Sequence, residues 1–227
     1  MVSEDEPMMR YQRLGGSVSG IIQTESACCL SVHHNVLVLG TTAGAVHILD
    51  LHGNELRRLQ PHSAAISALC VDTSGEFVGS SSHDGTVAVS SLQGGGEGCS
   101  THWYHRPVLA IALDPDYATS RTFATGGLAG QLILSSRGWF GTRDTILHAG
   151  EGPIRAISCC SAMLAWANDV GVKVYDTANN RRVSFIERAA CSVAADTMRC
   201  HLRWEGSTEL LIGWANSIKI ARVRTRE

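Results

Sequence analysis

Leu37-Val-Leu-Gly-Thr-Thr-Ala-Gly-Ala-Val-His-Ile-Leu-Asp50 is an apolar run, a turn of small residues around Gly44, and a second apolar run. The same grammar returns as Phe77-Val-Gly-Ser-Ser-Ser-His-Asp-Gly-Thr-Val-Ala-Val-Ser90 and as Phe123-Ala-Thr-Gly-Gly-Leu-Ala-Gly-Gln-Leu-Ile-Leu134. It returns twice more as Leu164-Ala-Trp-Ala-Asn-Asp-Val-Gly-Val-Lys-Val-Tyr-Asp176 and Leu211-Ile-Gly-Trp-Ala-Asn-Ser-Ile-Lys-Ile220. The turn positions are Gly44, Gly85, Gly130, Gly171 and Ser217, separated by 41, 45, 41 and 46 residues. Glycine at such a place permits the left-handed backbone that tight hairpin turns need. The sequence therefore predicts five hairpins at a near-constant period.

Working upstream, Ile66-Ser-Ala-Leu-Cys-Val71 runs into Asp72-Thr-Ser-Gly75, and Val108-Leu-Ala-Ile-Ala-Leu113 into Asp114-Pro-Asp116. Ile154-Arg-Ala-Ile-Ser-Cys159 holds the same place in its unit. These are β-branched-rich strands closed by Asx or proline turns. Downstream, the more polar Glu55 to Leu59 and Arg181 to Ile186 supply a fourth strand. Four strands in about 43 residues is the period of a WD-type propeller blade, and 227 residues make roughly five such units. A β-sandwich has no reason to recur at this period with the same turn residue. No segment keeps helical periodicity over eleven or more residues, so no helix is expected. The fold class is all-β: a WD-type β-propeller of about five four-stranded antiparallel units. It occupies 9–227, behind a disordered acidic leader over 1–8.

Composition agrees with a packed scaffold of near-neutral net charge. Nineteen basic residues face twenty-one acidic ones, 44% of residues are hydrophobic and 18% charged. That excludes disorder throughout, and it removes the electrostatic argument for a nucleic-acid partner. No apolar run is long enough to cross a membrane, and the acidic start lacks the apolar stretch of a signal peptide. Eight cysteines without a C-x-x-C read as reduced cytosolic thiols, not as a metal site. The adjacent pairs Cys28-Cys29 and Cys159-Cys160 sit in strands, where neighbours point to opposite faces, so one buried thiol per pair is expected.

The chemistry-bearing residues have structural explanations. His83-Asp84-Gly85 lies in a hairpin turn, where the aspartate bonds nearby backbone. His62 stands where WD-type blades carry a histidine before their first strand, which implies a buried structural hydrogen bond. His33-His34 lie in a turn; His102, His105 and His148 lack a nucleophile at a motif-like spacing, and no H-E-x-x-H or carboxylate-pair signature occurs. Gly94-Gly95-Gly96 forms no phosphate-loop motif. The chain is read as a non-enzyme with no cofactor. Trp166 and Trp214 hold matched strand positions and are assigned to the core. The exception is Ser135-Ser-Arg-Gly-Trp-Phe-Gly-Thr-Arg143, which sets Trp139 and Phe140 between Arg137 and Arg143 where other units are polar. Such a loop suits docking of a partner or dipping into a membrane interface, against the alternative that Trp139 folds onto its own blade. Arg137, Trp139, Phe140 and Arg143 are the candidate partner-binding residues.

Ordered blocks point further. Met9-Arg-Tyr-Gln-Arg-Leu14, Leu39 to Asp50, Asp72-Thr-Ser-Gly-Glu76, Thr125-Gly-Gly127, Ile146-Leu-His-Ala-Gly-Glu-Gly-Pro-Ile-Arg155 and the two Trp-Ala-Asn strands follow one another along the chain. With them the chain resembles the N-terminal propeller region of the vacuolar protein sorting-associated protein 41 family, subunits of the HOPS tethering complex. The resemblance runs from Met9 to the last residue, and the Gly-Glu-Gly-Pro-Ile block is its most distinctive part. It implies a propeller followed by an α-solenoid and a zinc-binding RING-like end, acting in vesicle-mediated protein transport and fusion at the vacuole or lysosome. It implies HOPS subunits as partners, and a late-endosomal small GTPase of the Rab7 or Arl8 type, bound directly or through an adaptor. The implied location is the cytoplasm, peripheral on late endosome, vacuole or lysosome membrane through partners. In some fungi a curvature-sensing helix lies in this region; the glycine-broken Arg137 to Arg143 loop does not reproduce it. The alternative is a general WD-type scaffold of another multiprotein complex. The resemblance also implies more blades than five, so the chain is expected to be an incomplete propeller: a fragment or truncated gene model. Two apolar blade faces would then be exposed, and Met9 to Leu14 would be a closing strand of the last blade.

Overall fold

A computed structural model describes residues 13–93, 98–138, 141–188, 197–214 and 217–224. Four antiparallel four-stranded sheets and one three-stranded sheet follow in chain order, each a simple meander. Blade 1 is β1 (Ala27–Val32), β2 (Leu37–Thr41), β3 (Val46–Leu49) and β4 (Glu55–Leu59); blade 2 is β5 (Ile66–Val71), β6 (Phe77–Ser82), β7 (Thr86–Ser91) and β8 (Ser100–Trp103). Blade 3 is β9 (Val108–Leu113), β10 (Phe123–Gly127), β11 (Leu132–Gly138) and β12 (Gly141–His148). Blade 4 is β13 (Ala156–Cys160), β14 (Met163–Ala167), β15 (Gly171–Asp176) and β16 (Arg181–Glu187); blade 5 is β17 (Cys200–Glu205), β18 (Glu209–Trp214) and β19 (Ser217–Arg222). The architecture is the five-bladed β-propeller that the repeat predicts, and the polar stretches after the second hairpin strand are its outer strands.

The core sits in the seams between blades. Val38, Val46 and Ile48 of blade 1 meet Ile66 and Val78 of blade 2. Phe77, Val87 and Val89 meet Val108, Ile111 and Phe123 of blade 3. Ala124 and Leu132 meet Leu164 and Trp166 of blade 4, and Ala165, Val172 and Val174 meet Leu210, Ile212 and Trp214 of blade 5. Both repeated tryptophans are therefore core. Middle strands are buried on both faces and read as unbroken apolar or small-residue runs, whereas the outer strands are mostly exposed.

The turn glycines serve these seams as well as their own hairpins. Gly44, Gly85 and Gly130 have φ of 82°, 86° and 70°. A Cβ on Gly44 would run into the carbonyl of His62, and one on Gly130 would lie 3.1 Å from the carbonyl of Gly152. Each turn thus packs against the segment that opens the next blade. Gly171 is a correction: it is a strand residue without positive φ, and the turn before it is closed by Asn168, whose Oδ1 accepts from Val170 N and Gly171 N. Glycine is needed at 171 because a Cβ would collide with the Ile186 carbonyl (2.5 Å) on its own outer strand.

Two helices also correct the all-strand expectation. α1 (Ser17–Thr24) lies on the outer face of blade 1, with Ile21 and Val18 against Leu37, Leu39 and Leu49. It is held at its start by Val18 N donating to Gly53 O and Glu55 N donating to Ser17 Oγ. Arg13 and Leu14, expected in a closing strand, are not in a strand. α2 (Tyr117–Ser120) is one turn between β9 and β10, ended by Arg121 at φ 49°. Of the two end faces expected to be bare, blade 1's is partly covered. Among the described residues no core cluster joins blade 5 to blade 1, and Ile218 is 80% exposed.

Candidate functional site

His62 is the first polar group to weigh, because Ser80, His62 and Asp84 together imitate a hydrolase triad. Ser80 Oγ is 2.8 Å from Nε2, Thr86 Oγ1 is 2.7 Å from Nδ1, and Asp84 Oδ2 stands 3.6 Å from Nδ1. Thr86 Oγ1 donates to Asp84 Oδ1 at 2.6 Å, so it accepts from Nδ1–H, and Nε2 is left to accept from Ser80. The imidazole side chain is fully enclosed, and Ser80 is buried. Burial pulls the His62 pKa down against the opposing pull of Asp84, keeping the ring neutral. No substrate reaches this serine. Asp84 also accepts from Ser63 N, so the group pins the opening of blade 2 to its middle hairpin.

Blade 4 does the same with other residues. Lys173, almost fully buried, donates to Glu151, which also accepts from Asn168 Nδ2. Lys173 is what first lowers the Glu151 pKa. Within the same blade Arg155 Nε donates to Asp169 Oδ1 at 2.7 Å, tying the start of β13 to the turn between β14 and β15. Among the described residues, no group of three or more His, Cys, Asp or Glu is placed to hold a metal ion.

The open concavity lies elsewhere, between blades 2 and 3 at the outer rim. It is a cleft of about 580 Å³. Phe77, Tyr117 and Phe123 form its floor, with Phe77 and Tyr117 edge-to-face at 5.2 Å. The guanidinium of Arg121 lies 4.5 Å above the Phe77 ring, placed there by the left-handed cap of α2. His102 of β8 stacks obliquely on Phe123 at 5.0 Å; burial lowers its pKa, and Asp144 only partly opposes this. Positive charge in the cleft therefore comes from Arg121 and Arg137. No carboxylate lines it among the described residues.

The far wall is the hairpin of β11 and β12. Arg137 pairs with Thr142 and Gly138 with Gly141, so the ladder runs on beyond Ser135 and lifts the hairpin over the cleft. Residues paired across an antiparallel ladder share a face. Ser135 and Asp144 are one such pair, joined at 2.6 Å, and Tyr104 of the segment after β8 bonds Ser135 at 2.9 Å. That face looks toward blade 2, and Arg137 and Thr142, two residues further along each strand, share it. Burial pushes the Tyr104 phenol up to about 12, so it stays a hydrogen-bonding hydroxyl. Arg143 pairs with Ser136 and does not itself line the cleft. The expected arginine pair is thus split: Arg137 walls the cleft and Arg143 does not. Trp139 and Phe140 lie outside the described residues.

Sequence reasoning missed Arg121, His102 and the aromatic floor. Asp114-Pro-Asp116 marks a turn, but a single helical turn has no periodicity to read, and nothing local shows that Arg121 returns over Phe77.

A family model named for the Vps41 β-propeller, described as "Vps42 beta-propeller", matches residues 9–227. The vacuolar protein sorting-associated protein 41 homolog of Solanum lycopersicum is 48% identical over 224 residues, covering 98% of this chain and 23% of that protein. The Homo sapiens homolog is 36% identical over 224 residues, covering 97% of this chain and 26% of that protein. The chain therefore spans about a quarter of the length of these curated relatives. Among solved structures, the Cps50 (Swd1) β-propeller domain of Myceliophteria thermophila superposes with a TM-score of 0.73 at 20% identity. It covers 87% of this chain and 65% of that one, and shows the fold alone.

Proposed function

The chain belongs to the Vps41 β-propeller family, and on that premise we propose that it is the non-catalytic recognition platform of a vacuolar or lysosomal tethering subunit. Its homologues are vacuolar protein sorting proteins. The platform would sit in a HOPS-type assembly and bring a carrier to the late endosome, vacuole or lysosome through protein contacts. In this reading residues 9–227 are one partial propeller, and its partner is a late-endosomal small GTPase of the Rab7 or Arl8 type, bound directly or through an adaptor. Among the described residues no helix is long and apolar enough to cross a membrane, and membrane association here runs through partners.

One observation carries the reading: the rim between blades 2 and 3 joins an open aromatic floor to the guanidinium groups of Arg121 and Arg137. Apolar anchors with arginine at the margin are what protein hot spots are made of. The buried histidine and lysine networks support the same view, since they stiffen the blades without being reachable.

The test is retention of GTP-loaded against GDP-loaded late-endosomal GTPase on the immobilised chain. Preferential capture of the GTP form is expected. Arg137→Glu, and the pair Trp139→Ser with Phe140→Ser, should each weaken it about tenfold, the loss of one hot-spot contact. Arg143→Glu, outside the lining of the cleft, should leave it unchanged. Equal or absent retention in both nucleotide states would count against a direct effector role.

A further inference from the structure

The two Cys-Cys pairs each lie in the first strand of a blade but differ in geometry. In β13 the register is unbroken, with Cys159 opposite Leu164 and Cys160 opposite Met163. Their side chains part as alternation requires: Cys159 packs into the seam with blade 3, and Cys160 Sγ donates to Gly206 O of blade 5 at 3.2 Å. In β1 the register slips, with Ala27 opposite Thr41 and Cys29 opposite Gly40. Cys28 is the extra residue of a β-bulge, where two residues oppose one and the alternation fails. Both thiols consequently lie on the same side, Sγ to Sγ 3.9 Å, and both face the Ile66 carbonyl of blade 2, Cys28 at 3.0 Å and Cys29 at 3.9 Å. One buried thiol per pair, expected from alternation, holds for neither: this pair is co-facial, and the thiols of the other are each half-buried.

The partner strand makes room for the pair. A Cβ on Gly40 would stand 2.6 Å from Cys29 Sγ, so any other residue there would push that thiol away. Cys28 is exposed and Cys29 half-buried behind it. Burial, with the neighbouring Cys28 adding to it, pushes the Cys29 thiol up to about 12.

We infer that Cys28 and Cys29 form a vicinal dithiol site for a soft centre that accepts two sulfurs, of the class of the trivalent arsenicals. An organoarsenic oxide, R–As=O, first meets the exposed Cys28 and then closes on Cys29. Two S–H bonds and the arsenic–oxygen bond break, and two As–S bonds form. The two thiol protons leave with the oxygen as one water. Arsenic remains trivalent, so the step needs no oxidant, and Cys29 reacts as the protonated thiol. Bridging also withdraws the Cys28 S–H donor from Ile66 O, the contact it makes between the first strands of blades 1 and 2. Soft thiophilic centres prefer such sulfur pairs, and closure on the second sulfur is intramolecular, which strengthens capture by about 10² or more over one thiol. This site is independent of the cleft between blades 2 and 3.

The reduced full chain, treated with equimolar phenylarsine oxide, should take up one phenylarsenic group, read by intact mass and placed by peptide mapping. A dithiol such as 2,3-dimercaptopropanol should strip it, and a monothiol at the same concentration should not. Cys28→Ser and Cys29→Ser should each lose the adduct; Cys159→Ser and Cys160→Ser should keep it. Cys28→Ser is the decisive variant, because the exposed thiol is replaced by a hydroxyl that can still donate to Ile66 O. An adduct that survives Cys28→Ser, or that maps to residues 159 and 160, overturns the assignment. So does a wild-type chain that takes up no arsenic, whether or not iodoacetamide alkylates Cys28.

Discussion

Among the described residues, blade 1 and blade 5 each present an apolar sheet face with no further blade against it, yet the chain treats the two faces differently. On blade 1, α1 lays Ile21 and Val18 over Leu37, Leu39 and Leu49, while Leu30 and Val32 of β1 and Leu56 of β4 remain exposed at 58%, 68% and 63%. On blade 5, His201, Gly213 and Ile218 form one cross-strand row, and Arg203, Leu211 and Ile220 another. Ile218 and Ile220 remain 80% and 59% exposed. Charge is what this face has in place of a cover: Arg222 Nε pairs with Glu209 at 2.7 Å, and Arg203 with Glu205 at 3.9 Å. Charged side chains blunt a sheet that would otherwise recruit another. A blade face in a radial repeat needs something opposite it, and a short amphipathic segment or a fringe of ions are two unequal answers.

The most forceful way to break this comparison is to cut one end from the body. Leu210 is 1% exposed in the seam joining blades 4 and 5. Leu210→Ala should cost about 3 kcal/mol by removing buried methyl groups and leaving a cavity. Because each blade contacts only its neighbours, the loss should concentrate in blade 5. Hydrogen exchange should therefore speed up in β17, β18 and β19, with blade 1 little changed. A uniform loss across all five sheets would make the arc one cooperative unit, and the ends could not be compared separately.

What the sequence discloses divides along similar lines. The five hairpins, the outer strand at Glu55 to Leu59 and the burial of Trp166 follow from periodicity and turn residues, which are local signals. α1 was not legible: it has eight residues, Gly20 within it, and a glycine at its N-cap that makes no side-chain hydrogen bond. Its stability comes from packing on blade 1. The Cys28 bulge escaped for a related reason, since a slipped register is set by the partner strand and not by the cysteines. At the cleft, Arg137 was legible as a charge beside aromatic residues. Arg121 and His102 were not, because they meet only once blades 2 and 3 are side by side.

A smaller effect should separate the ends by pH. Glu25, immediately after α1, accepts from Thr41 Oγ1 at 2.8 Å and from Arg58 Nη2 at 3.1 Å. The Thr41 hydrogen bond leads in holding its carboxyl below the usual value of 4.5, with His47 and Arg58 adding to it against desolvation. A carboxylate depressed in the folded state stabilises above its unfolded pKa, and that stability is lost as pH falls through the folded one. Acidification below about 4.5 should therefore loosen the α1 end by at most about 1 kcal/mol, the range of a partly exposed charge pair. Glu25→Gln should abolish that part of the pH dependence. Exchange rates in α1 and β2 at pH 3 to 6 would show it; identical profiles for both proteins would remove Glu25 as the anchor.

The smallest effect on stability concerns the bare face, and there the comparison makes its sharpest demand. Ile218 and Ile220 make few contacts to lose, so Ile218→Lys with Ile220→Lys should change unfolding free energy by no more than about 0.5 kcal/mol. Association should respond far more. Two neighbouring isoleucines on an uncovered sheet form the nucleus of a self-docking patch, and the two ion pairs lie beside them and not over them. The isolated wild-type chain should self-associate with rising concentration, and the double lysine variant should run as a monomer in light scattering. A sharp monomeric wild-type peak with cooperative unfolding would mean that the charged fringe protects blade 5 as well as the helix protects blade 1. The difference between the two ends would then be one of means and not of outcome.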